Sequence, residues 1–487
     1  MHLEVADARR LADAERTLGE TPAGCTWLDD RTIDDLELGR AFAAIDRTHT
    51  PIGGQALWRM LAAPADDPAV LAARERRLAQ LADPALRARV VGALGAGTAA
   101  DAPHLPRLLW DAPPIAPRGR TIALLGGTFV ACLLLARLWP PLLVGAIAVI
   151  AANLLFDDWS KLGTSLHARA LELLGGALGR ATALVAIVPD AAIARDVAAV
   201  RGRLRRRLAV LAVRDPFELL EVVRAALLVR VIVVRSALGI VTAERERLRR
   251  IVVWLGELDA LASIAALRAE RPDAHLPELA ADATPHIDAR GLVDPSIDGA
   301  IGNELVLHHG GLLVTGSNMS GKSTLLRAIG LAAIFAQSIH TTFGRWRASL
   351  MRVRVVMRIA DDPARALSTF AVEVAAIGEL VRAATERDAV PSLFVIDEPF
   401  HGTNPTVRVP IVVAVIELLA ARDLVVAATH DLDVATRLDT SLVRGFFDEL
   451  PDGSFDRTLK PGVARSSNAV AILRRAGYPA AILDRLA

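Results

Sequence analysis

Cysteine is nearly missing from this 487-residue chain. Only Cys25 and Cys132 are present, and Cys132 lies in an apolar run, which excludes a disulfide framework and fits a reducing compartment. Neither sign of charge dominates: 56 lysines and arginines against 55 aspartates and glutamates leave a formal net charge of +1. With no global basic excess, any nucleic-acid contact must come from local patches. Residues 1–16 lack the apolar core of a signal peptide, so secretion is not expected. Apolar side chains are abundant, at 53% of residues with a mean hydropathy of +0.37. That is high for a soluble protein and predicts a segment in lipid. The length allows about three domains of ordinary size.

Residues 26–83 alternate apolar and charged positions at helical spacing, which predicts a small helical domain, with Pro51 and Gly53 at a helix–helix turn. A proline-rich connector, 103–117, then leads to two apolar runs, 121–138 with Arg137 as its only charge and 141–156 with none. At about 1.5 Å per helical residue each run spans roughly 24–27 Å, slightly short of an ~30 Å hydrocarbon core. Two short membrane helices turning at Trp139-Pro140-Pro141 fit this pattern; a pair of buried core helices is the competing reading. Arg107, Arg118, Arg120, Lys161 and Arg169 flank the runs, which puts both ends of the hairpin in the cytoplasm.

Residues 161–268 are helical and charged in pattern, with arginine runs at 201–207 and 245–250. These suit either phosphate contacts or a solvated helix face. The second reading is preferred, because Glu244 and Glu246 interrupt one run and no aromatics interleave with either. The apolar stretch 225–241 carries Arg230 and Arg235 and reads as a core helix.

After a polar stretch, 271–285, come alternating buried strands and helices of an α/β domain. Gly316-Ser317-Asn318-Met319-Ser320-Gly321-Lys322-Ser323-Thr324 follows an apolar strand and precedes a helical pattern, the context of a nucleotide-phosphate loop. Its backbone N–H groups and the helix N-terminus suit anionic oxygens, Lys322 reaches the β- and γ-phosphates of ATP, and Ser323 ligates Mg²⁺. The strand 392–396 delivers Asp397, placed to hold Mg²⁺, and Glu398, placed to orient or deprotonate a water. A third strand, 424–428, ends in Thr429-His430-Asp431, where His430 can bond a γ-phosphate or the water. Asn404-Pro405 reads as a helix cap and first helical residue, with Pro410 as a possible kink.

These pieces make an ABC-class ATPase core without a Leu-Ser-Gly-Gly-Gln signature. In its place, Leu367-Ser368-Thr369-Phe370 resembles the serine-threonine-phenylalanine signature of the MutS family of DNA mismatch repair ATPases. The phosphate loop with Asn318-Met319, Asp397-Glu398 followed by Gly402-Thr403, Ala428-Thr429-His430, Ser466-Ser467-Asn468-Ala469 and Gly477-Tyr478-Pro479 resemble the same family in order and spacing. So do 34–38 and 46–53, similar to the start of its helical core, and 257–263, similar to its last helix. Pro399-Phe400-His401 departs from the family's usual isoleucine-glycine-arginine and resembles a membrane-associated branch.

The resemblance implies that Lys322 and Ser323 hold triphosphate and Mg²⁺, that Asp397 and Glu398 serve the metal and the water, and that His430 senses the γ-phosphate. It also implies a homodimer in which Ser368 acts in trans. No mismatch-reading domain is expected before the core, since the phenylalanine-x-glutamate wedge has no counterpart there. The expected architecture is multidomain, α and α/β. It comprises a helical part at 1–116, a transmembrane hairpin at 117–158, a second helical part at 159–275 and a P-loop ATPase domain at 276–487. The expected function is a membrane-tethered ATP-hydrolysing dimer switch acting on mismatched or branched DNA. It would sit at the cytoplasmic membrane through lipid contacts of 121–156, with the ATPase domain facing the cytoplasm. A transport-like membrane ATPase with a non-DNA partner and a non-catalytic ATP-binding scaffold are the alternatives.

Overall fold

The computed structural model describes residues 3–111, 124, 127–129, 131–132, 134–212, 229–280, 284–317, 320–357, 369–386, 390–401, 403–438, 442–448, 450, 454–464 and 479. Readings that fall on Arg118, Arg120, much of 121–138, 225–228, Asn318, Met319, Leu367, Ser368, Gly402, 466–469 and 477–478 lie outside the described residues. The chain divides into two compact units, one of Met1–Glu20, Arg47–Trp58 and Asp83–Ser263, the other of Thr21–Asp46, Arg59–Ala82 and Ile264–Ala487.

The described elements of the first unit are helical. Its longest is a continuous helix, Leu142–Ile187, of 46 residues. The sequence reading ends the second apolar run at 156, but Asp157, Asp158 and Lys161 change only polarity. No proline breaks the backbone ladder, so the helix runs on. Its later part buries Leu171, Leu174, Leu178, Ala181 and Leu184, a stripe at helical spacing. Among the described residues, His167–Ile187 is the stretch long and apolar enough to cross a membrane. The helix Val229–Ala243 buries Val231, Val234, Ala237, Leu238 and Val241, one face in the manner of a core helix. Pro51 is the first residue of the helix Pro51–Ala62, so Gly53 lies inside a helix rather than in the turn before it. The preceding Thr50 Oγ1 accepts the Gly53 N–H at 3.1 Å, as a helix cap does.

The arginine runs are tied to acids of their own unit. Arg203 and Arg247 both pair with Glu244. Arg250 bonds Asp196 at 2.9 Å, and Arg249 bonds Glu20 at 2.7 Å and the Leu109 carbonyl at 2.8 Å. This is the behaviour of an ion-paired helix face.

The second unit contains a six-stranded sheet: β1 (Gly311–Thr315), β2 (Arg352–Val356), β3 (Ser392–Asp397), β4 (Leu424–Thr429), β5 (Leu442–Phe446) and β6 (Lys460–Pro461). Their spatial order is β6-β5-β1-β4-β3-β2, parallel except for β6 at the edge. β1 and β4 are buried along their whole length and β3 up to Asp397. Such continuous apolar runs are what a parallel sheet covered on both faces requires. Segment 34–38, read as the start of a helical core, belongs to this unit, where Thr32 Oγ1 accepts the Val355 N–H at 3.2 Å and Asp35 the Met357 N–H at 2.7 Å. A second sheet has four strands, Glu278–Ala280, Arg345–Ser349, His286–Leu292 and Asn303–His308 in spatial order.

Candidate nucleotide-binding site

In an open parallel sheet, ligands meet the carboxyl ends of the strands. Here β1 ends at Thr315 and the chain turns through Gly316 (φ +146°) and Gly321 (φ +113°) into the helix Lys322–Ser338. Both dihedrals lie in the region that glycine reaches without strain. Lys322 is 4% exposed, and its Nζ donates to the carbonyls of Gly316 at 2.8 Å and Ser317 at 2.9 Å. It also lies 3.5 Å from Glu398 Oε1.

β3 delivers Asp397 and Glu398 one strand beyond β4. The Ser323 hydroxyl bonds the Asp397 carboxylate, while burial, helped by the charge of Glu398, pushes the Asp397 carboxyl above the usual aspartate range. Glu398 (φ +49°) and Phe400 (φ +57°) both adopt left-handed backbone around Pro399. Non-glycine residues are strained there, and such strain collects at functional sites. Phe400 is buried and packs on Phe370, from the helix Thr369–Thr385, with ring centroids 6.3 Å apart. The loop that carries Glu398 thus meets the helix that carries the end of the serine-threonine-phenylalanine segment.

β4 ends at Thr429, and the next residue reaches Glu398. His430 Nδ1 lies 2.7 Å from Glu398 Oε2, and the His430 backbone N–H donates to the same oxygen at 3.2 Å. Nδ1 must carry the proton in this pairing, leaving Nε2 for a second partner. Asp431, which caps the helix Leu432–Arg437, pairs with Arg408 at 3.0 Å. Asn404 accepts the Thr406 N–H at 2.9 Å and so caps the helix Pro405–Ala420, with Pro405 at its start and Pro410 inside it.

A cavity of about 450 Å³, within the range of small-molecule sites, is lined by Gly321, Lys322, Ser323, Thr324, Asp397 and Glu398. Buried Ser320 Oγ, Asp397 Oδ1 and Glu398 Oε1 have no hydrogen-bond partner among the described residues. A triphosphate with Mg²⁺ fits this set, since an ammonium, a hydroxyl and a carboxylate with an oxygen to spare are the donors such a group uses.

Much of the remaining lining was not legible in the sequence: Leu292, Val293, Asp294, Ile297, Ile301, Asn303, Arg327, Phe447 and Arg457. Only Arg327 carried a local signal, four residues after Ser323 and so on the same helix face. It pairs with Glu37 at 3.4 Å.

Comparison with known proteins adds a sequence likeness to this geometry. The family described as MutS domain V matches residues 312–487. A protein of Halobacterium salinarum named DNA mismatch repair protein MutS 2 is 32% identical over 255 residues, 49% of this chain and 29% of that protein. One from Anaeromyxobacter dehalogenans named DNA mismatch repair protein MutS is 33% identical over 272 residues, 50% of this chain and 30% of its own length. The chain thus spans under a third of the length of these relatives.

Proposed function

The chain belongs to the MutS family through its domain V, and from that premise we propose that it is a membrane-tethered, dimeric ATPase whose nucleotide cycle switches the geometry of two paired chains. One observation carries the reading: Lys322, Ser323, Asp397 and Glu398 line a single cavity, with His430 bonded to Glu398. Lys322 and the N-terminus of its helix neutralise the β- and γ-phosphates of ATP. Ser323 and Asp397 would hold Mg²⁺, which would supply charge neutralisation during transfer of the terminal phosphoryl group to water. Glu398 orients the attacking water, and the His430 Nδ1–H holds the Glu398 carboxylate in place. The partner's Ser368 completes the site in trans.

Residues 121–156 form the tether. Leu124 (69%), Leu138 (84%), Trp139 (63%) and Val144 (70%) are all exposed, and a concentration of large apolar side chains at the surface marks a place that meets something apolar. The ATPase domain then faces the cytoplasm, where ATP is.

DNA, mismatched or branched, is the object of the switch; the relatives' name, DNA mismatch repair protein, supports the mismatched form. A second reading, a membrane ATPase with a non-DNA partner, is favoured by the internal ion pairs of Arg203, Arg247, Arg249 and Arg250, which occupy the cations that phosphate contacts would use. ATP turnover by the full chain separates the two when measured with homoduplex, mismatched and branched DNA at two salt concentrations beside Lys322→Ala. Stimulation by DNA that weakens with salt supports the first; turnover indifferent to every DNA supports the second. Turnover that survives Lys322→Ala unchanged would overturn the ATPase assignment itself.

A further inference from the structure

Asp294 is the acidic side chain in the cavity lining that the phosphate chemistry leaves unused. It belongs to the segment 292–303, whose other lining side chains include Leu292, Val293, Ile297 and Ile301. Asp294 is 2% exposed. Its Oδ1 accepts the Ser296 N–H at 2.9 Å and the Ser296 hydroxyl at 2.6 Å, and the Ile297 N–H bonds its carbonyl at 3.2 Å. These bonds hold the carboxylate in one orientation. Its second oxygen, Oδ2, is buried without a hydrogen-bond partner among the described residues. A buried acceptor left unpaired in a folded chain is uncommon and costly.

We propose that Asp294 Oδ2 accepts a hydrogen bond from a donor on the nucleoside half of the bound triphosphate, an exocyclic amino group or a ribose hydroxyl, and so sets which nucleoside the site prefers. This rests on the nucleotide reading of the cavity. A carboxylate repels phosphate, so the phosphate chain belongs with Lys322 and the uncharged nucleoside with Asp294 and the apolar lining. An ionised carboxylate only accepts, so an analogue that lacks the donor leaves Oδ2 unpaired, and a site built around a hydrogen bond rejects such an analogue strongly.

The test is equilibrium binding of four nucleotides with Mg²⁺ to the full chain: ATP, purine riboside triphosphate (no 6-amino group), 2′-deoxy-ATP and 3′-deoxy-ATP. Wild type should bind ATP roughly tenfold or more tightly than the one analogue missing the donor. Weak binding of purine riboside triphosphate identifies the amino group; weak binding of a deoxy form identifies the hydroxyl. Asp294→Asn keeps Oδ1 for Ser296 but puts an NH₂ where Oδ2 was, and should lose that preference. Lys322→Ala should weaken all four alike. Equal affinity of wild type for all four overturns the proposal, needs no variant to fold and leaves the nucleotide site standing. An Asp294→Asn protein that keeps the wild-type preference overturns it too. If wild type binds none of the four, the nucleotide reading fails and the proposal with it.

Discussion

A Cβ added to Gly53 would stand 2.1 Å from Asp259 Oδ2, so the buried carboxylate of Asp259 occupies the space that a side chain at residue 53 would need. Asp259 is fully buried and accepts from the Thr50 N–H at 2.8 Å, the Thr50 hydroxyl at 2.7 Å and the His49 N–H at 3.1 Å. It ties the start of the helix Pro51–Ala62 to the helix Arg245–Glu270. Gly53→Ala should therefore destabilise the chain by roughly 1–3 kcal/mol through overpacking. Asp259→Ala should cost about 1–3 kcal/mol for each N–H left without an acceptor. Chemical denaturation followed by circular dichroism measures both; wild-type stability in either variant would show the contact to be slack.

The Glu398–His430 contact makes a kinetic prediction. On the proposed reading, Glu398→Gln should lower ATP turnover by about a hundredfold or more while nucleotide still binds, because the positioned base would be lost and Lys322 would still meet the phosphates. His430→Ala should lower turnover less, about tenfold, since the backbone N–H of residue 430 still reaches Glu398. Single-turnover hydrolysis alongside binding distinguishes the two effects. A Glu398→Gln protein that hydrolyses at the wild-type rate would point to the ATP-binding scaffold instead.

A pH dependence follows from Asp273. Its hydrogen bonds from Arg271, at 2.6 and 2.9 Å, hold its carboxyl below the usual aspartate range. The unfolded carboxyl takes up a proton first as pH falls. This pair's contribution is therefore complete above the ordinary aspartate value and is lost as pH drops through the lower folded value. Both side chains are partly exposed, so the contribution is small. Melting temperatures of wild type and Arg271→Gln should differ at neutral pH and converge in acid; a gap that persists at low pH would mean Arg271 acts by packing on Phe343, which lies 4.7 Å from its guanidinium.

The exposed apolar side chains around the turn at 136–141 make a partition experiment decisive. Wild type should float with phospholipid vesicles and need detergent for monodispersity. Leu138→Asp with Trp139→Asp should weaken flotation, because a charge at bilayer depth costs about 2.5–3.5 kcal/mol. A wild-type chain that stays monodisperse and vesicle-free without detergent would remove the tether.

Helix caps, buried strands and the strand-to-helix turn at Gly316 and Gly321 are legible because each depends on neighbours along the chain. Asn404 caps its helix through an N–H two residues on, and the apolar run of β1 leads directly into Gly316. The helix Leu142–Ile187 runs on past the end of the apolar run at 156, because a change of polarity without a backbone breaker does not end a helix.

By itself, then, the sequence determined which segments form buried strands and which residues stand at the ends of β1, β3 and β4, since those rest on spacing and local hydrogen bonding. Tertiary structure alone decided that Asp294 and Arg457 line the cavity of Lys322, that Phe370 packs beneath the Glu398 loop on Phe400, and that Asp259 reaches back 209 residues to Thr50. Burial brings together segments whose distance along the chain carries no periodicity, so their side chains share a site only once the sheet and helices have closed around it.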